Sequence, residues 1–358
     1  MGDLVRLGVI GAGAITRRHA AAIAAHPDQV AISAVFDTQP GAAKALAAEV
    51  PGARPFADLD QLLAAVDAAI VATPHFLHFE QAMRAVEAGV PVLAEKPLVT
   101  KLDDLRALRD ASAKHGTPVV AGQMQRFDPV NAAARAWIDQ DPSRFGDLES
   151  FTIRAWQDIT EYTASIGLGH WLLDGRLAGG GVVVSLAVHQ IDLLRFLGQA
   201  DYASVTAVGA YAPPFHDGAE ARAAVIITMA NGAIGTLHAD YNTPRGFQSE
   251  SLAAFGSQGG FTRDFRDLGT YYGPLLYSPA HTKDVIDFSA DGQAARLGLS
   301  LDLAADPFEN QVLHFARVVQ GEAAPINSIA ENFNTVACIA AINDAILAPG
   351  TPVAVAQS

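Results

Sequence analysis

The feature that most constrains this chain is its opening strand, turn and helix. Residues 4–10 (LVRLGVI) are a short β-rich run ending at Gly11-Ala12-Gly13, and AITRRHAAAIAAH follows with helical spacing and good helix formers. Glycine at the first position allows a tight turn, and glycine at the second lets a ligand approach the backbone. The helix start at Ala14 and Ile15 presents free N–H groups and a partial positive charge. Such a turn suits a pyrophosphate. The third small residue usual in this pattern is replaced by Thr16. Taken alone the pattern is weak, because many strand–helix joins need glycine for steric reasons only.

The next strand sharpens it. Residues 30–36 (VAISAVF) end at Asp37, a little over the ~20 residues beyond the turn at which a carboxylate holds the adenosine ribose hydroxyls. A cap for the helical stretch GAAKALAA is the alternative, and the ribose role is the reading adopted. An acid here repels a 2′-phosphate, and no Arg follows in Asp37-Thr38-Gln39-Pro40, so NAD is expected in preference to NADP.

Strands and helices then alternate. AAIVAT (68–73), a helix from about His78 to Ala88, VPVLAE (90–95), a helix over 102–114 and TPVVAG (117–122) predict βαβ crossovers and a doubly wound parallel sheet. After about Gln123 the pattern changes. Residues 148–156, 202–210, 222–230, 233–240 and 252–256 read as strands, with a hairpin signal at Asn231-Gly232. The expectation is a Rossmann domain over 1–123 and an α+β domain over 124–358 with a large, mostly antiparallel open sheet. The C-terminal helices are free to pack back on the first domain.

At 358 residues the chain has room for two such domains. Its formal net charge of −14 argues against nucleic acid or an anionic membrane as partner. The single cysteine, Cys338, lies in the apolar run VACIAAINDAIL, which suits an inert buried side chain. No basic leader opens the chain, and no apolar segment is read as reaching the roughly 18 residues that span a bilayer. A soluble cytoplasmic protein is expected. No carboxylate–histidine pair has zinc-enzyme spacing, so no metal is expected.

Thr73-Pro74-His75-Phe76-Leu77-His78 follows the third apolar strand, Glu95-Lys96-Pro97 follows the next, and Gly179-Gly180-Gly181 precedes His189 and Asp192. With the glycine turn, these segments resemble the glucose–fructose oxidoreductase/inositol dehydrogenase (Gfo/Idh/MocA) family over essentially the whole chain. The resemblance implies an NAD(P)-dependent oxidoreductase that moves a hydride between nicotinamide and a carbinol or carbonyl of a sugar, cyclitol or related small molecule. It implies that Thr73, Pro74, His75, His78 and Glu95 line the dinucleotide site. It also implies that Lys96 faces the reacting hydroxyl and the nicotinamide ribose, with a Lys96-Pro97 bond that is often cis.

The chemistry of these residues fits. Lys96 stands at a carboxyl-terminal strand end, where open α/β sheets place ligands, and a cation there stabilises a developing alkoxide. His189 is the candidate proton acceptor, since imidazole titrates near neutrality. Asp192, three residues on, shares its helix face. The family's sugar- and inositol-oxidising members usually carry an Asp four residues before this His, and here that position is Ser185. Either His189 works unaided or an acid such as Asp174 or Asp158 fills the gap. Gln123 ends the last Rossmann strand and is placed to face the nicotinamide. Arg126 heads the second domain and serves either an oxygen-rich substrate or a structural ion pair. Trp156, His170 and Trp171 form either a sugar-stacking wall or core. A second reading is a non-redox-net member of the same fold, either an enzyme holding NAD for transient oxidation or a dinucleotide-responsive regulator. A homodimer or homotetramer through the second-domain sheet is expected.

Overall fold

The computed structural model describes residues 3–265, 274–299 and 301–358. The chain forms two compact units, Met1–Phe127 with Ala304–Phe333, and Asp128–Leu303 with Asn334–Ser358. The first unit thus runs to Phe127 and includes Ala304–Phe333, part of the C-terminal region that the sequence left free to pack back on it. The reason is burial: Val312, Phe315 and Ala316 of the Pro307–Val319 helix join the apolar cluster of Leu7, Val9, Ile32, Val35, Ile70 and Leu93. Each Val, Leu, Ile or Phe side chain so taken from water stabilises by about 1.5–3 kcal/mol.

In the first unit, β1 (Val5–Ile10), α1 (Ala14–Ala24), β2 (Val30–Phe36), α2 (Pro40–Glu49), β3 (Arg54–Phe56), α3 (Leu59–Leu63), β4 (Ala68–Val71), α4 (His75–Glu87), β5 (Val92–Glu95), α5 (Leu102–His115) and β6 (Val119–Gly122) follow in order. The sheet is parallel throughout, in the order β3-β2-β1-β4-β5-β6. Strands β4, β5 and β6 are buried at every residue, as expected for strands covered on both faces. The order reverses beside β1, so β1 and β4 open the crevice that binds ligands in such sheets. β3 and α3 escape the sequence reading because Arg54-Pro55-Phe56 is short and not apolar enough to show a period.

The second unit is built on a nine-stranded sheet. Its strands are β7 (Leu148–Trp156), β8 (Tyr202–Ala210), β9 (Arg222–Met229), β10 (Ile234–Asp240), β11 (Ser249–Gly256), β12 (Gly259–Phe265), β13 (Leu275–Pro279), β14 (Ile286–Asp287) and β15 (Val353–Ala354). They lie in the order β14-β13-β12-β11-β7-β10-β9-β8-β15, antiparallel except where β10 meets β7. Asn231-Gly232 does turn β9 into β10: Gly232 has φ +89°, and the Asn231 side chain accepts the Ala233 N–H at 3.1 Å. β9 alternates exposed and buried positions, with Ile226 on the open face beside Val208 and Ile234.

One expectation is corrected. Gly175–Gly198 is a helical run of 24 residues holding an 18-residue window of mean hydropathy 1.5, long and apolar enough to cross a membrane, and 83% of that window is buried inside the protein. It is apolar all round because it packs in the core of the unit, against β7 and β11. Cys338 is fully buried in the Ile329–Leu347 helix, and burial pushes its thiol up, away from the reactive thiolate.

Candidate active site

The glycine turn is held from three sides. Gly11 has φ +100°, and a Cβ on it would lie 2.6 Å from the Ala72 carbonyl oxygen, so only glycine fits. Thr16, where a small residue was expected, is fully buried and its hydroxyl donates to the Gly11 carbonyl at 2.7 Å. The hydroxyl fills the space and closes the turn. Asp37 accepts the Ala12 N–H at 2.8 Å with one oxygen and the Gln39 N–H at 2.8 Å with the other. Gln39, not Asp37, is the N-cap of α2.

Gly13 differs from Gly11. It is the N-cap of α1, with φ −79° and no side-chain cap, and nothing lies within 4 Å of a Cβ built on it. The protein itself does not demand glycine there. An open, uncapped helix N-terminus with no acid in its first turn, exposed at Ala14 and half-buried at Ile15, fits a diphosphate lying against the backbone. At the end of β6, Gln123 is 1% exposed, and both polar atoms of its amide lack a hydrogen-bond partner among the described residues. These two features match the groups of a dinucleotide.

The turns after β4 and β5 are joined. His78 is fully buried, with Nε2 at 2.8 Å from the Thr73 carbonyl oxygen and Nδ1 at 2.8 Å from that of Pro97. Burial pushes its pKa down, against the pull of those two carbonyls. Thr73 donates its hydroxyl to Gln81 at 2.6 Å, Pro74 is the N-cap of α4, and the ring of His75 lies 5.7 Å from that of His78. The Lys96-Pro97 bond is cis.

Glu95 is buried with one oxygen 2.8 Å from His19 Nε2, and the other accepts the Lys96 N–H at 3.2 Å. Burial alone would raise this carboxyl, but the His19 contact and the charges of His19 and Lys96 outweigh it and hold it below the usual range. Lys96, half-buried, therefore leaves the sheet from a fixed backbone. His19 was missed by sequence reasoning. Its signal was the spacing of three from Thr16, which puts both on the buried face of α1. Arg126 lies in the first unit rather than heading the second: it is buried, donates to the Ile326 carbonyl at 3.2 Å and lies 3.7 Å from Glu331.

In the second unit, Gly179 and Gly180 have φ of +85° and +138°, and a Cβ on Gly181 would lie 1.9 Å from the Glu220 carbonyl oxygen. A short π-helical turn, Val183–Ala187, precedes the Val188–Gly198 helix. Such turns re-aim side chains and recur at functional sites. Ser185 sits in this turn, donates to the Gly181 carbonyl at 2.5 Å and accepts the Tyr241 hydroxyl at 2.8 Å. His189 is half-buried on the helix, and Asp192 is 1% exposed and accepts the Thr335 hydroxyl at 3.2 Å.

The acids considered as replacements for the missing carboxylate are engaged elsewhere. Asp158 caps Ile159–Ile166 through Thr160. Asp174 caps Gly175–Ala178 and pairs with Arg176 at 2.9 Å, whose hydrogen bonds draw its pKa down to about 2. Asp174, His216 and Asp217 cluster closely, but Arg176 bonds both carboxylates. The aromatic candidates fall into two pairs. Trp156 donates to His238 Nδ1 at 2.6 Å, and the His170 ring lies 5.2 Å from that of Trp171.

Comparison with known proteins places these features. Residues 5–123 match the family model described as "Oxidoreductase family, NAD-binding Rossmann fold", and residues 132–262 match the GFO/IDH/MocA C-terminal domain. The chain is 30% identical over 206 residues to an inositol 2-dehydrogenase of Rhizobium meliloti, a match covering 58% of each chain. It is 27% identical over 261 residues to an inositol 2-dehydrogenase of Corynebacterium glutamicum, covering 71% of this chain and 72% of that one. Among solved structures, the WlbA dehydrogenase of Bordetella pertussis, in complex with NADH and UDP-GlcNAcA, superposes with a TM-score of 0.84 at 23% identity, over 100% of this chain and 99% of that one.

Proposed function

The chain belongs to the Gfo/Idh/MocA family of oxidoreductases, and we propose that it transfers a hydride between a nicotinamide dinucleotide and a CH–OH or carbonyl carbon of a sugar, cyclitol or sugar derivative. The observation that carries this reading is the Glu95-Lys96-Pro97 turn, fixed by His19 and His78 in the sheet that bears the open glycine turn. Gly11, Gly13, Ala14, Ile15, Asp37, Thr73, Pro74, His75, His78, Glu95, Lys96 and Gln123 would hold the dinucleotide. When bound, it supplies the hydride acceptor or donor. In the oxidative direction His189 takes the hydroxyl proton, and Lys96 stabilises the charge developing on oxygen. Substrate recognition falls to Ser185 and Asp192, with Arg126 and His170 as outer contacts; Trp156, bonded to His238, lies on the open face of the sheet instead.

NAD is the preferred cofactor. Asp37 directs a carboxylate at the turn, with no Arg after it in Thr38-Gln39-Pro40 to receive a 2′-phosphate. A cyclitol substrate is supported by the inositol 2-dehydrogenases among the relatives. The test is NADH formation with a panel of inositols and sugars. Lys96→Ala and His189→Ala are each expected to lower turnover at least ~100-fold, and near wild-type turnover in both sinks the assignment.

Ser185 supports a second reading. A serine bonded to Gly181 and Tyr241 stands where sugar- and inositol-oxidising members carry a carboxylate. That favours an enzyme whose NAD is reduced and reoxidised within one cycle. Bound NAD with no net NADH, and product of unchanged redox state, selects it.

A further inference from the structure

Glu220 is buried, 2% exposed, and has no role in the reading above. It lies just before β9, yet its carboxylate reaches the start of the helical run that carries Ser185, His189 and Asp192. Its Oε2 accepts the Gly181 N–H at 2.6 Å and its Oε1 accepts the Val183 N–H at 2.9 Å, while its own carbonyl accepts the Val182 N–H at 2.9 Å. Three successive N–H groups of a helix start are thus held by one residue. The contact also accounts for Gly181, because any side chain there would strike the Glu220 backbone. Ser185 closes the same turn from the other side, through the Gly181 carbonyl.

We propose that Glu220 is a positioning residue: its carboxylate fixes the first turn of this helix and thereby the placement of Ser185 and His189. The proposal rests on His189 acting as the proton acceptor. A carboxylate suits a helix N-terminus, where the aligned peptide dipoles favour negative charge. Protonation would turn one acceptor oxygen into an O–H facing an N–H donor, releasing one of the two bonds. Burial raises this carboxyl to about 7, against the backbone N–H groups that favour the anion, so the release falls in the neutral range. Among the described residues, no charged side chain bonds to it. On neighbouring segments, Asp174, Arg176, His216 and Asp217 form their own cluster, Arg222 pairs with Asp240, Arg195 with Asp201, and Asp192 takes the Thr335 hydroxyl. Glu220 therefore answers to pH rather than to a partner's charge.

The test compares wild type, Glu220→Gln and Glu220→Asp across pH 5–9 in kcat, NAD affinity and melting temperature. Gln keeps one acceptor and loses the charge. Its kcat is expected to fall about 10- to 100-fold above pH 7, the scale of a small misplacement, with NAD affinity unchanged and the acid limb less steep by one proton. Asp keeps the charge at shorter reach and is expected to fall between Gln and wild type. A Gln profile superimposable on wild type overturns the proposal. Should the Gln variant not fold, an Asp variant identical to wild type in kcat and acid limb overturns it. Should wild type form no NADH with any polyol, the functional reading fails by itself and melting decides Glu220. A carboxyl raised in the folded state binds more protons folded than unfolded, so wild type loses stability as pH rises from about 4.5 to 7. The Gln variant is expected to lack that slope, and equal slopes overturn the proposal.

Discussion

Gly11 and Gly13 stand two residues apart and are glycine for different reasons. Gly11 is dictated by backbone, a positive φ and the Ala72 carbonyl at 2.6 Å from any Cβ. Gly13 has an ordinary φ and empty space around it. Gly11→Ala is therefore expected to destabilise the fold by more than about 1 kcal/mol, seen as a lower melting temperature without ligand. Gly13→Ala is expected to leave that melting temperature within a degree or two of wild type while weakening NAD at least tenfold in a fluorescence titration. Unaltered NAD affinity in Gly13→Ala would remove the diphosphate from this turn. Asp37→Ala is expected to weaken NAD more than NADP, and equal effects on the two would reduce Asp37 to a brace between the ends of β1 and β2. Most of the residues at these strand ends were legible in the sequence, because glycine, proline and charged residues directly after apolar runs stand out against their surroundings. His19 and Glu220 were not. One sits in an alanine-rich helix and the other before an alternating strand, and their meaning comes from partners 76 and 39 residues away.

Among elements, α1 is tied to β5 by the His19–Glu95 contact, both ends buried. Removing one member leaves a buried charge uncompensated, so His19→Ala is expected to destabilise by about 3 kcal/mol or more, measured by urea unfolding at pH 7. The pH dependence has a definite sign. Glu95 is held below its ordinary value near 4.5 in the folded state, so its contribution is present above that pH and lost as pH falls through the folded value. The gap between wild type and His19→Ala should narrow below about pH 4.5, and a constant gap would mean that the histidine acts by packing alone. Elements with a clear period, such as β7, β8 and α5, were legible nearly to the residue. β15 was not, because its two residues pair with a strand distant in sequence, Val353 against Val205. The long helical run before β8 was misjudged for a related reason. Its apolar residues count toward a membrane length only when the glycine turn inside it is read as helix.

At the scale of the whole molecule, the nine-stranded sheet presents Val208, Ile226 and Ile234 to solvent, each about 60% exposed, on three adjacent strands. An apolar stripe of this kind is an expected place for a second copy. Ile226→Arg, at the centre strand of the three, is expected to lower the sedimenting mass to that of the monomer while leaving NAD affinity unchanged. An unaltered mass would place any assembly on another surface. Cys338 has a consequence for such experiments. With a single thiol in the chain, fully buried and reluctant to ionise, the native protein is expected to react only slowly with thiol reagents. A cysteine introduced on either unit can then be labelled without first removing others. In the unlabelled protein, the slow reaction of Cys338 becomes a clock, counting how often the helix that buries it opens.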